Sequence, residues 1–107
     1  MSIVLLSEAD YPKDEERDKK RVKFSRDVLF PYYEKMVKEK GIKVKFSLWV
    51  DNTGHLVSWS EFETMEDFAK MWNDERWQQI SARRARLVDN VRFRLLRPGF
   101  YIPEDLK

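Results

Sequence analysis

The stretch from Ile42 to Glu63 constrains the fold more than any other part of the chain. Ile42, Val44, Phe46, Leu48 and Val50 alternate with Lys43, Lys45, Ser47 and Trp49. A period of two is that of an extended strand with one face against a core. Asn52-Thr53-Gly54 suits a three-residue hairpin loop, because Gly54 adopts the left-handed position without a steric penalty. That loop length fixes a register in which Lys45 faces Glu61 and Lys43 faces Glu63, two opposite-charge pairs from one alignment. In the same register Leu56, Ser58, Ser60 and Phe62 join the apolar face, while Val57, Trp59, Glu61 and Glu63 join the other. The second face therefore carries both Trp49 and Trp59. Two tryptophans are too much apolar surface to leave facing water, so a covering layer is expected on that side too.

The elements around the hairpin follow from period and punctuation. Ile3–Leu6 has strand character and can continue to Ala9 before Asp10-Tyr11-Pro12 breaks it. Asp14–Lys40 turns helical, with Val22, Leu29, Tyr33 (or Tyr32) and Met36 on the apolar stripe and a solvated, nearly all-charged start at Lys13–Arg21. Pro31 lacks a backbone donor, so it is expected to kink or restart the helix and leave Tyr32–Lys40 as a second segment. Gly41 is the natural stop, with Lys38 and Lys40 in the last turn. Thr64-x-x-Asp67 opens another helix in the manner of a capping box, carrying Phe68, Met71 and Trp72. Asp74 can cap a further helix reaching about Asn90, with Trp77, Ile80, Leu87 and Val91 as its stripe. Arg92–Leu96 alternates again as a last strand. The order β-α-β-β-α-β predicts an α+β class, a ferredoxin-like antiparallel sheet covered on one side by helices, in one domain spanning 1–107.

Composition removes several classes of function. The absence of cysteine excludes disulfides, thiolate metal sites and thiol catalysis. Carboxylates are scattered without histidine partners, so no metal and no cofactor is expected. The glycines are isolated, which rules out a phosphate-cradling loop. Ile3–Leu6 is too short for a signal segment or a membrane span, which points to a cytoplasmic protein without membrane contact. His55, the single histidine, sits at the hairpin tip and reads as a surface residue rather than a ligand or triad member. A basic cluster runs from Arg83 to Arg97 and includes Arg84, Arg86, Arg92 and Arg94. Nucleic-acid binding through it is a third-ranked reading, since the net charge is only +2 and Val44–Val50 lacks the glycines and aromatic spacing of an RNA-recognition strand.

Asp51-Asn52-Thr53-Gly54, Phe62-Glu63-Thr64-Met65-Glu66-Asp67-Phe68, Asn73-Asp74-Glu75-Arg76-Trp77 and Leu95-Leu96-Arg97-Pro98 together resemble the dimeric α+β barrel superfamily, in its NIPSNAP-like and antibiotic-biosynthesis-monooxygenase-like branches. The match spans roughly residues 30–98. The resemblance implies two sheets packed face to face across a two-fold axis. It places Lys43, Lys45, Trp49, Trp59, Glu61 and Glu63 at a homodimer interface, with the tail 98–107 (Phe100–Ile102 in particular) reaching the partner. It also implies a pocket between sheet and helices, lined by Phe46, Leu48, Ser58, Ser60, Phe62, Phe68 and Trp72, with Tyr32 or Tyr33 contributing. Cofactor-free monooxygenases of this type place an Asn on the third strand and a Trp near its end, where this chain has Ser58 and Phe62.

These residues predict a homodimeric protein that binds a small apolar or aromatic molecule. A cofactor-independent monooxygenase, cyclase or isomerase is the class of activity to test. Ser58 and Ser60 could orient a ligand carbonyl or hydroxyl on an otherwise apolar strand face, and a tyrosine beside Pro31 could supply a phenol as donor or acid. The alternative is a non-enzymatic dimerisation or interaction module.

Overall fold

The computed structural model describes residues 2–99 and 105. Strands β1 (Ile3–Asp10), β2 (Val44–Val50), β3 (His55–Phe62) and β4 (Asp89–Leu96) form one antiparallel sheet in the order β2-β3-β1-β4. Helices α1 (Glu15–Phe24), α2 (Phe30–Lys40), α3 (Met65–Trp72) and α4 (Glu75–Ala85) complete the ferredoxin-like order. Among the described residues, no helix is long and apolar enough to cross a membrane. The segment Phe100–Ile102, expected to reach a partner, lies outside the described residues.

The hairpin register is the one its charges predicted: Lys45 stands opposite Glu61, and Lys43 bonds Glu63 at 3.5 Å. Gly54 takes φ +85°, and Asp51 holds the turn by accepting from the backbone N–H groups of Thr53 and His55. Long-range pairing then aligns β1 with β3, with Leu5 opposite Ser60, Ser7 opposite Ser58 and Ala9 opposite Leu56. Those residues face the helices. Val4, Leu6 and Glu8 pair with Glu61, Trp59 and Val57 on the open face.

The long helical region departs from expectation in a useful way. A π turn at Ser25–Leu29 joins α1 to α2, with the Phe30 N–H bonding the Ser25 carbonyl five residues back. Pro31 follows in the first turn of α2, and the wider turn before it accommodates the missing donor. The wider turn keeps residues four apart on one face, so Phe24, Val28, Tyr32 and Met36 point to the core. Val22, assigned to the apolar stripe from its spacing, is exposed. Gly41 ends α2 at φ +65°.

α4 is shorter than its sequence pattern suggested, and β4 starts earlier. The Arg86 and Leu87 N–H groups bond the Arg83 and Arg84 carbonyls in tight turns, after which Val88 drops into the core. Arg17 pins this corner from α1, donating to Asp89 at 3.1 Å and to the Arg86 and Val88 carbonyls. Asn90 takes φ +56° and donates to Asp10 at 2.8 Å, which marks the irregular pairing between β1 and β4.

The main core joins Leu5 and Phe62 of the sheet to Phe24, Tyr32, Met36, Ile42, Met71, Trp77 and Ile80. Thr64 caps α3 by accepting from Asp67 N–H at 3.1 Å, and Asp74 caps α4 by accepting from Trp77 N–H at 3.2 Å.

Candidate functional site

A cavity lies between the helix-facing side of the sheet and the helices. Its floor is the strand lattice Leu5, Ser7, Ser58, Ser60, Phe46 and Leu48. Its roof comes from three sources: Arg21 of α1; Ser25, Leu29, Phe30 and Tyr33 around the π turn; and Trp77, Ile80, Ser81 and Arg84 of α4. The α4 residues recur at helical spacing, so one face of one helix supplies indole, aliphatic, hydroxyl and guanidinium groups together. The cavity holds about 40 Å³ of free space, room for a few waters. A ring-sized occupant therefore needs the wall to give at Phe30, Tyr33, Phe46 and Leu48, where β2 is the sheet edge. Leu48 is already 41% exposed there.

Several polar groups of the cavity have side-chain partners. Tyr33 Oη and Ser60 Oγ are 3.2 Å apart. Burial pushes the Tyr33 phenol up; contacts with Ser60 and Trp77 and the Arg84 charge act against it. It stays a neutral donor at physiological pH. Arg84 donates from Nη1 to Ser7 Oγ at 3.0 Å, and burial pushes its pKa down. Arg21 bonds Asp18 at 2.7 Å and lies 3.8 Å over the Tyr11 ring. Among the described residues, no imidazole or carboxylate lines the cavity. The site can therefore donate hydrogen bonds and stabilise negative charge, but its walls supply no ready general base.

Of the residues expected in the pocket, Tyr33, Phe46, Leu48, Ser58 and Ser60 come together in the cavity wall. Tyr32 does not. It is buried on the neighbouring helical face and donates to Asp74 at 2.8 Å, tying α2 to the cap of α4, so the choice between the two tyrosines falls on Tyr33. Phe62, Phe68 and Trp72 also stand outside the cavity wall. Phe62 is fully buried and meets Phe68 edge-on at 5.5 Å; Phe68 stacks on Trp72 at 5.5 Å. Trp72 then backs Trp77 at 4.7 Å and Phe93 at 5.9 Å, both of which line the cavity. The aromatic array supports the wall from behind.

Ser7 and Arg84 also line the cavity, beyond the residues expected there. Ser7 is legible only through the β1–β3 register, which no local signal sets. Arg84 had a signal: it falls seven residues after Trp77, on the stripe of Ile80 and Ser81.

The six residues assigned to the interface all lie on or beside the open face. Trp49 is 68% exposed and Trp59 38% exposed, and the Trp49 indole donates to Ser47 at 3.2 Å. His55 is more engaged than a loop-tip residue. At the end of this face it contacts Asp10 at 2.9 Å through Nδ1 and Glu8 at 3.3 Å through Nε2, and the two carboxylates push its pKa up. The basic cluster is dispersed. Arg84 lines the cavity, Arg83 and Arg86 border an outer groove with Lys20 and Lys23, and Arg94 bonds Glu8 on the open face. Among the described residues no group of histidine, aspartate and glutamate forms a candidate metal site.

No family model matches this sequence. No curated protein matches it either. Solved structures do match across nearly the whole chain. A conserved protein from Methanosarcina mazei superimposes with a TM-score of 0.70 at 12% identity, over 92% of this chain and 94% of its own. A NIPSNAP family protein from Agrobacterium tumefaciens gives 0.62 at 15% identity, over 97% and 99%. A variant of SnoaB, a cofactor-independent oxygenase from Streptomyces nogalater, gives 0.67 at 10% identity, over 96% and 98%. At such identities the likeness concerns backbone architecture alone. The chain shares a ferredoxin-like α+β fold with these NIPSNAP and antibiotic-biosynthesis-monooxygenase-like structures.

Proposed function

We propose that this is a homodimeric small-molecule-binding protein whose cavity takes a small, largely apolar or aromatic molecule. The observation that carries the reading is the cavity itself: an apolar cleft with convergent hydroxyls from Tyr33, Ser58 and Ser60, between sheet and helices. Its occupant lies along Leu29, Phe30, Phe46 and Leu48 and is oriented by the hydroxyls. Cofactor-independent oxygenation, cyclisation or isomerisation is the class of chemistry to assay, with Tyr33 as proton donor. Ser58 and Phe62 stand where the oxygenase pattern has Asn and Trp, which favours binding, cyclisation or isomerisation over quinone-forming oxygenation.

Binding is tested by titrating the protein with 2-naphthol and 2-naphthamide while following tryptophan fluorescence, because Trp77 lies in the cavity wall. Ser58→Leu fills the floor and should abolish saturable quenching while the protein stays folded. Unchanged quenching in that variant would rule out the cavity as the site.

A second reading, an interaction module whose open face is the functional surface, is favoured by the exposure of Trp49 and Trp59. Both readings share a dimer formed through that face. Sedimentation at increasing concentration should give a dimer, and Trp49→Asp with Trp59→Asp should return a folded monomer. A wild-type monomer at high concentration would refute the shared interface.

A further inference from the structure

Of the two guanidinium groups in the cavity wall, Arg84 is the one without a counter-charge among the described residues. Its neighbour Arg21 has Asp18 at 2.7 Å as counter-charge. Arg84 has a neutral serine hydroxyl at 3.0 Å, and among the described residues no carboxylate lies within ion-pair distance of it. Tyr33, the one acidic group among the described lining residues, is kept neutral by burial. A guanidinium remains protonated under any ordinary condition, so the cavity holds an uncompensated positive charge. Placing such a charge inside a protein is costly unless a partner meets it. The C-terminal end of α4 supplies a partial negative charge, but it is shared with Arg83 and Arg86, which border the outer groove. It does not account for a guanidinium turned inward.

We propose that the occupant of this cavity is an anion, an aromatic or acyl carboxylate whose acid group pairs with Arg84 and whose apolar body lies against Phe30, Phe46 and Leu48. This deepens the small-molecule reading above and rests on it. A planar guanidinium matches a carboxylate in two parallel hydrogen bonds, and Ser7, which now accepts from Arg84 Nη1, holds the fork oriented before the ligand arrives. The same charge would favour an enolate or phenolate developing on a bound ring, so the anchor also serves the cofactor-independent chemistry.

A matched pair of probes tests the idea by calorimetry: 2-naphthoate and its neutral isostere 2-naphthamide. Wild-type protein should bind the acid at least about tenfold more tightly than the amide, the scale of one charge-assisted contact. Arg84→Met should lose that preference and keep the amide's affinity, while Arg84→Lys should retain part of it. The melting temperature of Arg84→Met should match or exceed that of the wild type, because an apolar side chain replaces an unpaired buried charge. A structural role for Arg84 would lower it instead. Should Arg84→Met fold poorly, Arg84→Gln carries the same binding test. Equal affinity for acid and amide, with Ser58→Leu blocking both, overturns the anion proposal and leaves the cavity reading standing. A preference for the acid that survives in Arg84→Met also overturns it, and moves the anion to the outer groove of Lys20, Lys23, Arg83 and Arg86. Binding of neither probe, or binding untouched by Ser58→Leu, overturns the cavity reading and this proposal with it.

Discussion

The two faces of the sheet are made by the same strands and differ in almost everything else. On the helix side β3 contributes Leu56, Ser58, Ser60 and Phe62, all buried. On the open side the same strand contributes Val57, Trp59 and Glu61, with Trp59 still 38% exposed. The helix side pairs most of its polar groups internally, Tyr33 with Ser60 and Arg84 with Ser7. The open side carries apolar rings beside charges and has no covering layer among the described residues. One face is thus a core with a cleft left in it, and the other is the exposed surface that the proposed dimer would cover. A period of two makes this division possible: neighbouring residues on a strand serve opposite purposes.

The largest effect that can break the comparison comes from Phe62 and Trp59, three residues apart on opposite faces. Phe62 is fully buried against Phe68, so Phe62→Ala should cost about 3–5 kcal/mol. That loss should be the same at every protein concentration in urea denaturation. Trp59→Ala should cost about 1 kcal/mol or less in dilute protein, with a penalty that grows with concentration as the wild type gains from association. Equal and concentration-independent losses would show that the open face is not an interface.

The second contrast sits on one helix. Tyr32 and Tyr33 are adjacent, yet one bonds the cap of α4 and the other the cavity floor. Tyr33→Phe should lower thermal stability by about 1 kcal/mol, the worth of one neutral hydrogen bond, and should weaken ligand binding. Tyr32→Phe should cost about 1–3 kcal/mol through its tie to Asp74 and leave ligand affinity alone. Asp74→Ala should cost at least as much as Tyr32→Phe, since it also removes the cap on Trp77 N–H. If the two tyrosine variants affect ligand affinity alike, the cavity assignment of Tyr33 fails.

Those two tyrosines also show where sequence reading ends. The hairpin register was legible because it is local: loop length, alternation and two charge pairs all specify one alignment, and the structure has it. The helical phase was not legible past Pro31, because a π turn absorbs the proline and rotates α2 relative to an unbroken α-helix. That rotation buries Tyr32 in the core and turns Tyr33 to the cavity, while Val22, before the turn, lies exposed. The β1–β3 register depends on closure across the whole chain, so nothing near Ser7 announced that it would stand beside Ser58. Arg84 was obscured by its neighbours. In a run with Arg83 and Arg86 it reads as solvated charge, and only counting from Trp77 turns it inward.

The smallest effect sharpens the open face at its rim. His55 bridges Asp10 and Glu8, and Asp10 also accepts from Asn90 at 2.8 Å. Its carboxylate neighbours hold the His55 pKa above the ordinary 6.5, so the bridge stabilises the fold fully below that value and loses its contribution as pH rises through the raised one. The bonds from Asn90 and His55 hold Asp10 below its ordinary 3.8, so its share is present above 3.8 and lost as pH falls through the lowered value. The cluster therefore contributes most between 3.8 and 6.5. His55→Gln should lower the melting temperature more at about pH 5 than at about pH 9, with added salt shrinking the difference because the groups are solvent-accessible. A difference flat across pH would show that the bridge carries no charge-dependent stability. Repeating the comparison at high and low protein concentration locates the cluster relative to the second copy: a pH effect that grows with concentration puts it inside the interface, and one that does not keeps it at the rim, where the single-chain contacts already account for it.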